Sequence, residues 1–283
     1  MHKVQRVSSL RAAVVAARKE KKTVGFVPTM GNLHAGHIEL VKVARQKTDF
    51  VVVSIYVNPT QFGADEDLGN YPSTPEEDAR RLAEVGADLL FLPEQATMYP
   101  GELATQTVVY VPELGDMYCG VDRPEHFYGV TTVVSRLFNM VQPDVAVFGK
   151  KDYQQLTIIR RMVADLAYPV EVVGVDTVRS AEGLALSSRN GYLTEEQIEM
   201  APMLRTVLQK TSDAILNSRS SFKKLEQSAI TKLQAVGFEP QYFKICRQQD
   251  LLPAARDDEK LVILAAAVLG KARLIDNLEV ERS

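Results

Sequence analysis

Thr23–His37, TVGFVPTMGNLHAGH, is the stretch whose reading decides the fold. Thr23 to Pro28 is a short apolar run of the kind that forms a strand buried on both faces. Met30-Gly31-Asn32-Leu33-His34-Ala35-Gly36-His37 then makes a glycine-punctuated turn. Beyond it, Ile38 to Gln46 sets Ile38, Val41, Val43 and Ala44 on a helical stripe. A junction from strand to helix offers backbone N–H groups and the positive end of a helix dipole to a phosphate chain, and Gly31 and Gly36 permit close backbone approach. His34 and His37, three apart at a helix start, share a face and read as donors to one polyphosphate. The same spacing also suits a capping pair or part of a metal's ligand set.

Outward from this junction the alternation recurs. Phe50 to Val57, Asp88 to Leu92, Val145 to Phe148 and Val170 to Val175 read as further buried strands, with helices over Thr74 to Val85, Leu137 to Val141 and Leu156 to Leu166. Thr74-x-x-Glu77 has the form of a capping box and Gly86 that of a helix stop. The pattern predicts an α/β fold, a doubly wound parallel sheet (Rossmann-like) whose ligands bind at the carboxyl ends of its strands. After about residue 176 the texture changes. Glu195 to Leu216 and Ser221 to Gly237 read as helices joined by the polar connector Asn217 to Ser220, and Gln241 to Ile245, Leu261 to Val268 and Ala272 to Ile275 as strands. The reading is therefore two domains, 1–175 Rossmann-like and 176–283 a smaller C-terminal α+β domain.

The 283 residues carry 33 Lys+Arg against 36 Asp+Glu, a formal charge of −3, so there is no general basic field for nucleic acid or an anionic membrane. The chain reads as binding no nucleic acid and no membrane, with neither a signal peptide nor an apolar stretch of membrane-spanning length. Cys119 and Cys246 stand far apart without metal or redox spacing, which points to a reducing, cytoplasmic setting.

Three more segments carry candidate chemistry. Gly149-Lys150-Lys151-Asp152-Tyr153-Gln154-Gln155 follows a strand and opens a helix; lysine suits phosphate oxygens and a loop carboxylate suits ribose hydroxyls. Read singly, it is also a solvated basic turn with Asp152 as helix N-cap. Leu186-Ser187-Ser188-Arg189-Asn190 offers hydroxyls beside a guanidinium for a pyrophosphate leaving group, or is a serine-rich surface turn. In Val57-Asn58-Pro59-Thr60-Gln61-Phe62, Gln61 follows a strand end with an amide able to donate or accept. Three of these four segments follow strands whose ends converge on one crevice of a doubly wound sheet.

In PTMGNLHAGH, VNPTQF, GKKDYQQL and LALSSRNGYL the chain resembles the pantothenate synthetase family, over nearly its whole length and in order. The His-x-Gly-His part alone is similar to a wider nucleotidyltransferase superfamily. The resemblance implies a ligase making pantothenate from pantoate, β-alanine and ATP, with Mg²⁺, through pantoyl adenylate, and a homodimer. It implies that Met30 to His37 cradle ATP, with His37 as the catalytic donor and His34 on the phosphates. Gln61 and Gln155 would hold pantoate. Gly149, Lys150, Lys151 and Asp152 would line ribose and phosphates, the Val178 backbone would meet adenine, and Leu186, Ser187, Ser188 and Arg189 would close over the triphosphate. Lys150 stands where the family's GEKD form has an acidic residue. The metal's ligands are unknown; Glu77 and Asp78 read better as first-turn helix charges. Two other readings compete: an adenylyltransferase acting on a phosphorylated small molecule, and a non-catalytic nucleotide-binding module.

Overall fold

The protein is described by a computed structural model over residues 1–63, 68–218 and 220–282. It divides into two compact units, Met1–Lys150 with Ile158–Asp176, and Lys151–Thr157 with Thr177–Ser283. The second unit thus also draws on a segment ahead of the change of texture at 176.

In the first unit β1 (His2–Val4), β2 (Val24–Thr29), β3 (Phe50–Ile55), β4 (Leu89–Phe91), β5 (Val145–Gly149) and β6 (Glu171–Val175) form one sheet in the order β1-β4-β3-β2-β5-β6. Every pairing in it is parallel. Central strands read as unbroken apolar runs because helices cover both faces: Phe26, Val27, Val51, Val52, Val53 and Val147 are fully buried. The chain winds from β2 through β3 to β4 on one side and from β5 to β6 on the other. The topological switch, where ligands of such sheets bind, therefore lies beyond the carboxyl ends of β2 and β5.

The opposite ends of the strands are closed by carboxylates. Asp144 accepts the Val24 N–H at 2.7 Å, Asp88 accepts the Val51 N–H at 2.8 Å, and Asp49 accepts the Thr23 N–H at 3.0 Å. These side chains satisfy backbone donors that the ladder leaves over.

In the second unit β7 (Glu239–Arg247), β8 (Lys260–Leu269) and β9 (Ala272–Glu281) form an antiparallel sheet in that order. The helices Met203–Asn217 and Phe222–Ala235 bury Leu204, Leu208 and Leu233 in one cluster with Phe243 and Ile263.

Several elements differ from the sequence reading, each for a physical reason. The helix expected over Glu195 to Leu216 is two, Glu195–Met200 and Met203–Asn217, because Pro202 cannot donate to a continuing ladder. The helix expected at Leu137 runs from His126 to Val141, its β-branched Thr131–Val134 stretch held helical by burial. Thr74 is the N-cap of Pro75–Glu84 but forms no capping box. Its hydroxyl donates to Asp78 instead, and Glu77 turns to Arg80 and Arg81. The last strand runs on to Glu281, and β1 is an added three-residue edge strand. Arg219, in the Asn217 to Ser220 connector, lies outside the described residues.

Candidate active site

The turn after β2 is built by left-handed backbone at Gly31 (φ 86°) and Asn32 (φ 50°). A Cβ on Gly31 would lie 3.1 Å from Ile55 Cγ2 and 3.3 Å from Asp78 Oδ2, so the position combines a backbone preference with a lack of room. Asp78, only 1% exposed, reaches back from the helix Pro75–Glu84. Its carboxylate accepts the backbone N–H groups of Asn32 and Leu33, each at 2.8 Å. The Gly31 N–H donates to Thr29 Oγ1 at 3.3 Å.

His34 is the N-cap of the helix Ala35–Lys47 and forms a reciprocal capping box with His37. The Gly36 N–H donates to His34 Nδ1 at 3.1 Å and the His34 N–H to His37 Nδ1 at 3.3 Å. Two sequence readings of this pair, capping and phosphate binding, are therefore compatible, since capping engages Nδ1 of each ring and directs the proton of the neutral form to Nε2. Five of the turn's backbone amides have partners within the protein. Gly31, Asn32, Leu33, His34 and Gly36 all donate within the protein, which leaves the imidazoles as the turn's distinctive groups.

Beyond β3, Gln61 closes the turn Pro59–Gln61 and is 8% exposed. Its Oε1 accepts from Asn58 Nδ2 at 3.2 Å, and its Nε2 lies 3.1 Å from Met30 Sδ, which brings Gln61 to the turn after β2. Asn58 is saturated: its Nδ2 also donates to the Gly129 carbonyl at 3.1 Å, and its Oδ1 accepts the Tyr99 hydroxyl at 2.9 Å and the Thr60 hydroxyl at 3.1 Å. Gly129 lets the helix His126–Val141 pack backbone against backbone on this turn. A Cβ there would fall 2.3 Å from the Thr60 carbonyl oxygen and 2.5 Å from the Gln61 nitrogen. The Gln61 carbonyl lies 2.8 Å from His126 Nδ1. Burial pushes the phenols of Tyr99 and Tyr56 up from their ordinary value.

Gly149 ends β5 and Lys150 follows it, beside the turn after β2 because β5 pairs with β2. Lys150, unusual in its motif, is ion-paired with Asp176 at 2.9 Å. The structure thus gathers Met30–His37, Gln61, Gly149 and Lys150 at the carboxyl ends of neighbouring strands of the first unit.

The other expected site residues belong to the second unit. The Lys151 carbonyl accepts from Asn277 Nδ2 at 2.9 Å and the Tyr153 hydroxyl donates to Glu279 at 3.0 Å, fixing Lys151 and Asp152 to β9. Gln155 stands in the first turn of the helix Tyr153–Asp165. The Leu186 N–H donates to the Val178 carbonyl at 3.0 Å, so these two predicted residues are paired neighbours. Ser187 caps the turn Ser188–Tyr192 by accepting the Arg189 N–H at 3.3 Å. A shallow cleft is lined by Lys151, Ser187, Asn190, Arg205 and Asp276, among others. Asp276, at its wall, forms a two-pronged ion pair at 2.7 and 2.8 Å with the partly buried Arg179. Burial and the neighbouring Arg179 push the Arg205 guanidinium down from its ordinary value.

No group of three or more His, Cys, Asp or Glu side chains gathers to hold a metal among the described residues. Asp78 is spent on the turn. The hydrogen bonds of Arg80 and then Arg81 hold the Glu77 carboxyl down at about 2. Neither is arranged as a metal ligand.

Asn58, Tyr99 and Gly129 were not singled out from sequence. Asn58-Pro59 carried the one available signal, a turn-forming pair; Tyr99 carried none.

The sequence profile described as Pantoate-beta-alanine ligase matches residues 2–279. A pantothenate synthetase of Pseudomonas fluorescens is 54% identical over 99% of this chain and 98% of its own length. One from Marinobacter nauticus is 51% identical over the whole of both. The crystal structure of pantothenate synthetase from Thermus thermophilus superposes with a TM-score of 0.92 at 46% identity, covering 99% of this chain and 100% of that one. A Francisella tularensis pantoate-beta-alanine ligase, complexed with beta-gamma ATP and beta-alanine, gives 0.82 at 32% identity, covering 98% and 97%. Sequence and architecture agree along the full chain, which belongs to the pantoate-beta-alanine ligase family.

Proposed function

We propose that this chain condenses pantoate with β-alanine, consuming ATP and giving pantothenate, AMP and pyrophosphate. The observation that carries the reading is the pair of mutually capped histidines at the switch point with the Gln61 amide alongside. It supplies N–H donors for a phosphate and an uncharged polar hold, which suits a hydroxy acid better than a phosphorylated acceptor.

In the first step a pantoate carboxylate oxygen attacks the α-phosphorus, and the bond to the bridging oxygen breaks to release pyrophosphate. In the second, the β-alanine nitrogen attacks the acyl carbon, the bond to the phosphate oxygen breaks, AMP leaves with the electron pair, and the nitrogen loses its proton. His37 donates from Nε2 to the α-phosphate as charge develops, and His34 does so on the neighbouring phosphates. Gln61 orients the carboxylate, so that attack is close to intramolecular. Lys151, Asp152, Val178 and Leu186 to Arg189 are assigned to ATP, and Gln155 to pantoate. Mg²⁺ enters with the triphosphate as part of the substrate, consistent with Mg²⁺ keeping phosphate and water ligands. The chain works as a homodimer in the reducing cytoplasm, a setting supported by two buried cysteines outside any disulfide.

Mass spectrometry of a reaction given ATP, pantoate and β-alanine tests the reading. Pantothenate, AMP and pyrophosphate should form in equal amounts, and only with all three substrates; ADP and phosphate would overturn it.

A further inference from the structure

We propose that Tyr99 is a positioning residue for the hydroxy acid: through Asn58 its hydroxyl sets the Gln61 amide so that the NH₂ group, not the carbonyl, faces the ligand. The inference rests on the assignment of Gln61 to pantoate made above.

The deduction starts from a group that has no choice. The Gly129 carbonyl only accepts, so the Asn58 atom 3.1 Å from it is the NH₂ nitrogen. The other Asn58 amide atom is then the oxygen, and the two hydroxyls that reach it, Tyr99 at 2.9 Å and Thr60 at 3.1 Å, both donate. With two hydrogens given and two lone pairs filled, the amide of Asn58 has one orientation. Its second N–H points to Gln61 at 3.2 Å, so the Gln61 atom there is the carbonyl oxygen and its NH₂ must face the turn of Met30. Gln61 is thereby a committed donor. It suits a carboxylate oxygen and disfavours a ligand that offers only hydrogen at that point.

Tyr99 is held for this task. It is 2% exposed, and Arg136 lies over its ring at 4.9 Å from the centroid. The ring is fixed by packing, and the hydroxyl does the orienting.

The test combines three variants, assayed for initial rate against pantoate and ATP separately, with melting temperature as control. Tyr99→Phe keeps the ring; KM for pantoate should rise about 3- to 10-fold while kcat and KM for ATP stay within about two-fold. Gln61→Ala should raise the same KM by about ten-fold or more, and Tyr99→Phe should then add nothing in the double variant, because it acts through Gln61. Gln61→Glu should be worse than Gln61→Ala, since its outward atom becomes an acceptor facing a carboxylate. An unchanged pantoate KM in Gln61→Ala removes Gln61 from the pantoate site and overturns both the assignment and the relay. A defect in Gln61→Ala with independent, multiplying effects of Tyr99→Phe, or a Gln61→Glu variant no worse than Gln61→Ala, overturns the relay alone. If Tyr99→Phe unfolds, Thr60→Val, which removes the other hydroxyl donating to Asn58 Oδ1, serves in its place: a pantoate KM that rises alone supports the relay and an unchanged one overturns it.

Discussion

The His34 backbone N–H donates to His37 Nδ1 at 3.3 Å, so that imidazole locks a helix start through one nitrogen, and the donor role we propose for it falls to the other, Nε2. The two roles belong to different nitrogens and are separable by mutation. We predict that His37→Asn, whose Oδ1 takes the place of Nδ1, keeps the cap and the wild-type melting temperature but slows adenylate formation by about 10²-fold, as for loss of a transition-state donor. Rapid-quench measurement of each half-reaction checks it. A normal first step with a slow second would assign His37 to amine attack.

Asp78 binds the two turn amides across 46 and 45 residues of sequence. Asp78→Asn turns an NH₂ group toward a buried N–H donor, at a cost of roughly 1–3 kcal/mol. The expected outcome is a lower melting temperature with an unchanged magnesium requirement. A normal melting curve with an altered magnesium dependence would mean that the carboxylate serves the metal.

Burial raises Tyr99 and Tyr56, and the sign follows directly. Below the ordinary phenol value, about 10, both are neutral in folded and unfolded chains and their contribution to stability is complete. As pH climbs past that value the unfolded chain ionises first, so stability is lost on the alkaline side. In an absorbance titration near 295 nm, at least two of the ten tyrosines should ionise later than the rest while the protein stays folded. All ten titrating together in the native state would contradict the burial described.

Arg179 and Asp276, with side chains 19% and 3% exposed, form a pair that is costly to break from one side. Asp276→Ala strands a guanidinium and should cost roughly 3–5 kcal/mol, whereas Arg179→Met with Asp276→Leu should cost far less. Urea unfolding of the two variants measures the difference. Equal losses would mean that the pair is not the dominant interaction there.

The sheet was legible because its strands are short and buried on both faces: FVVVSI and VAVF admit few other readings. β1 was not, since three residues make no pattern and its place is set by pairing with Leu89–Phe91. Thr131–Val134 lay outside the helix expected over Leu137 to Val141, its β-branched residues being weak helix formers, and is helical because the core imposes it. At the site, the His34–His37 turn and Gln61 stood out by position after a strand. The spending of the turn's amides on Asp78 did not, because the carboxylate arrives from a distant helix. Asn58 and Tyr99 are single polar residues without periodicity, and only the closed circle of donors and acceptors around them reveals their part.

Glycine at 129 has no smaller replacement. Any substitution there adds atoms where a neighbouring main chain already lies within 2.3 Å of the would-be carbon, so the helix could accept one only by carrying the Gln61 turn with it. The seat of that helix and the main chain of the Pro59–Gln61 turn can therefore not be adjusted one at a time. A larger residue at 129 would therefore be felt first in the main chain of Thr60 and Gln61, ahead of any effect on the helix itself.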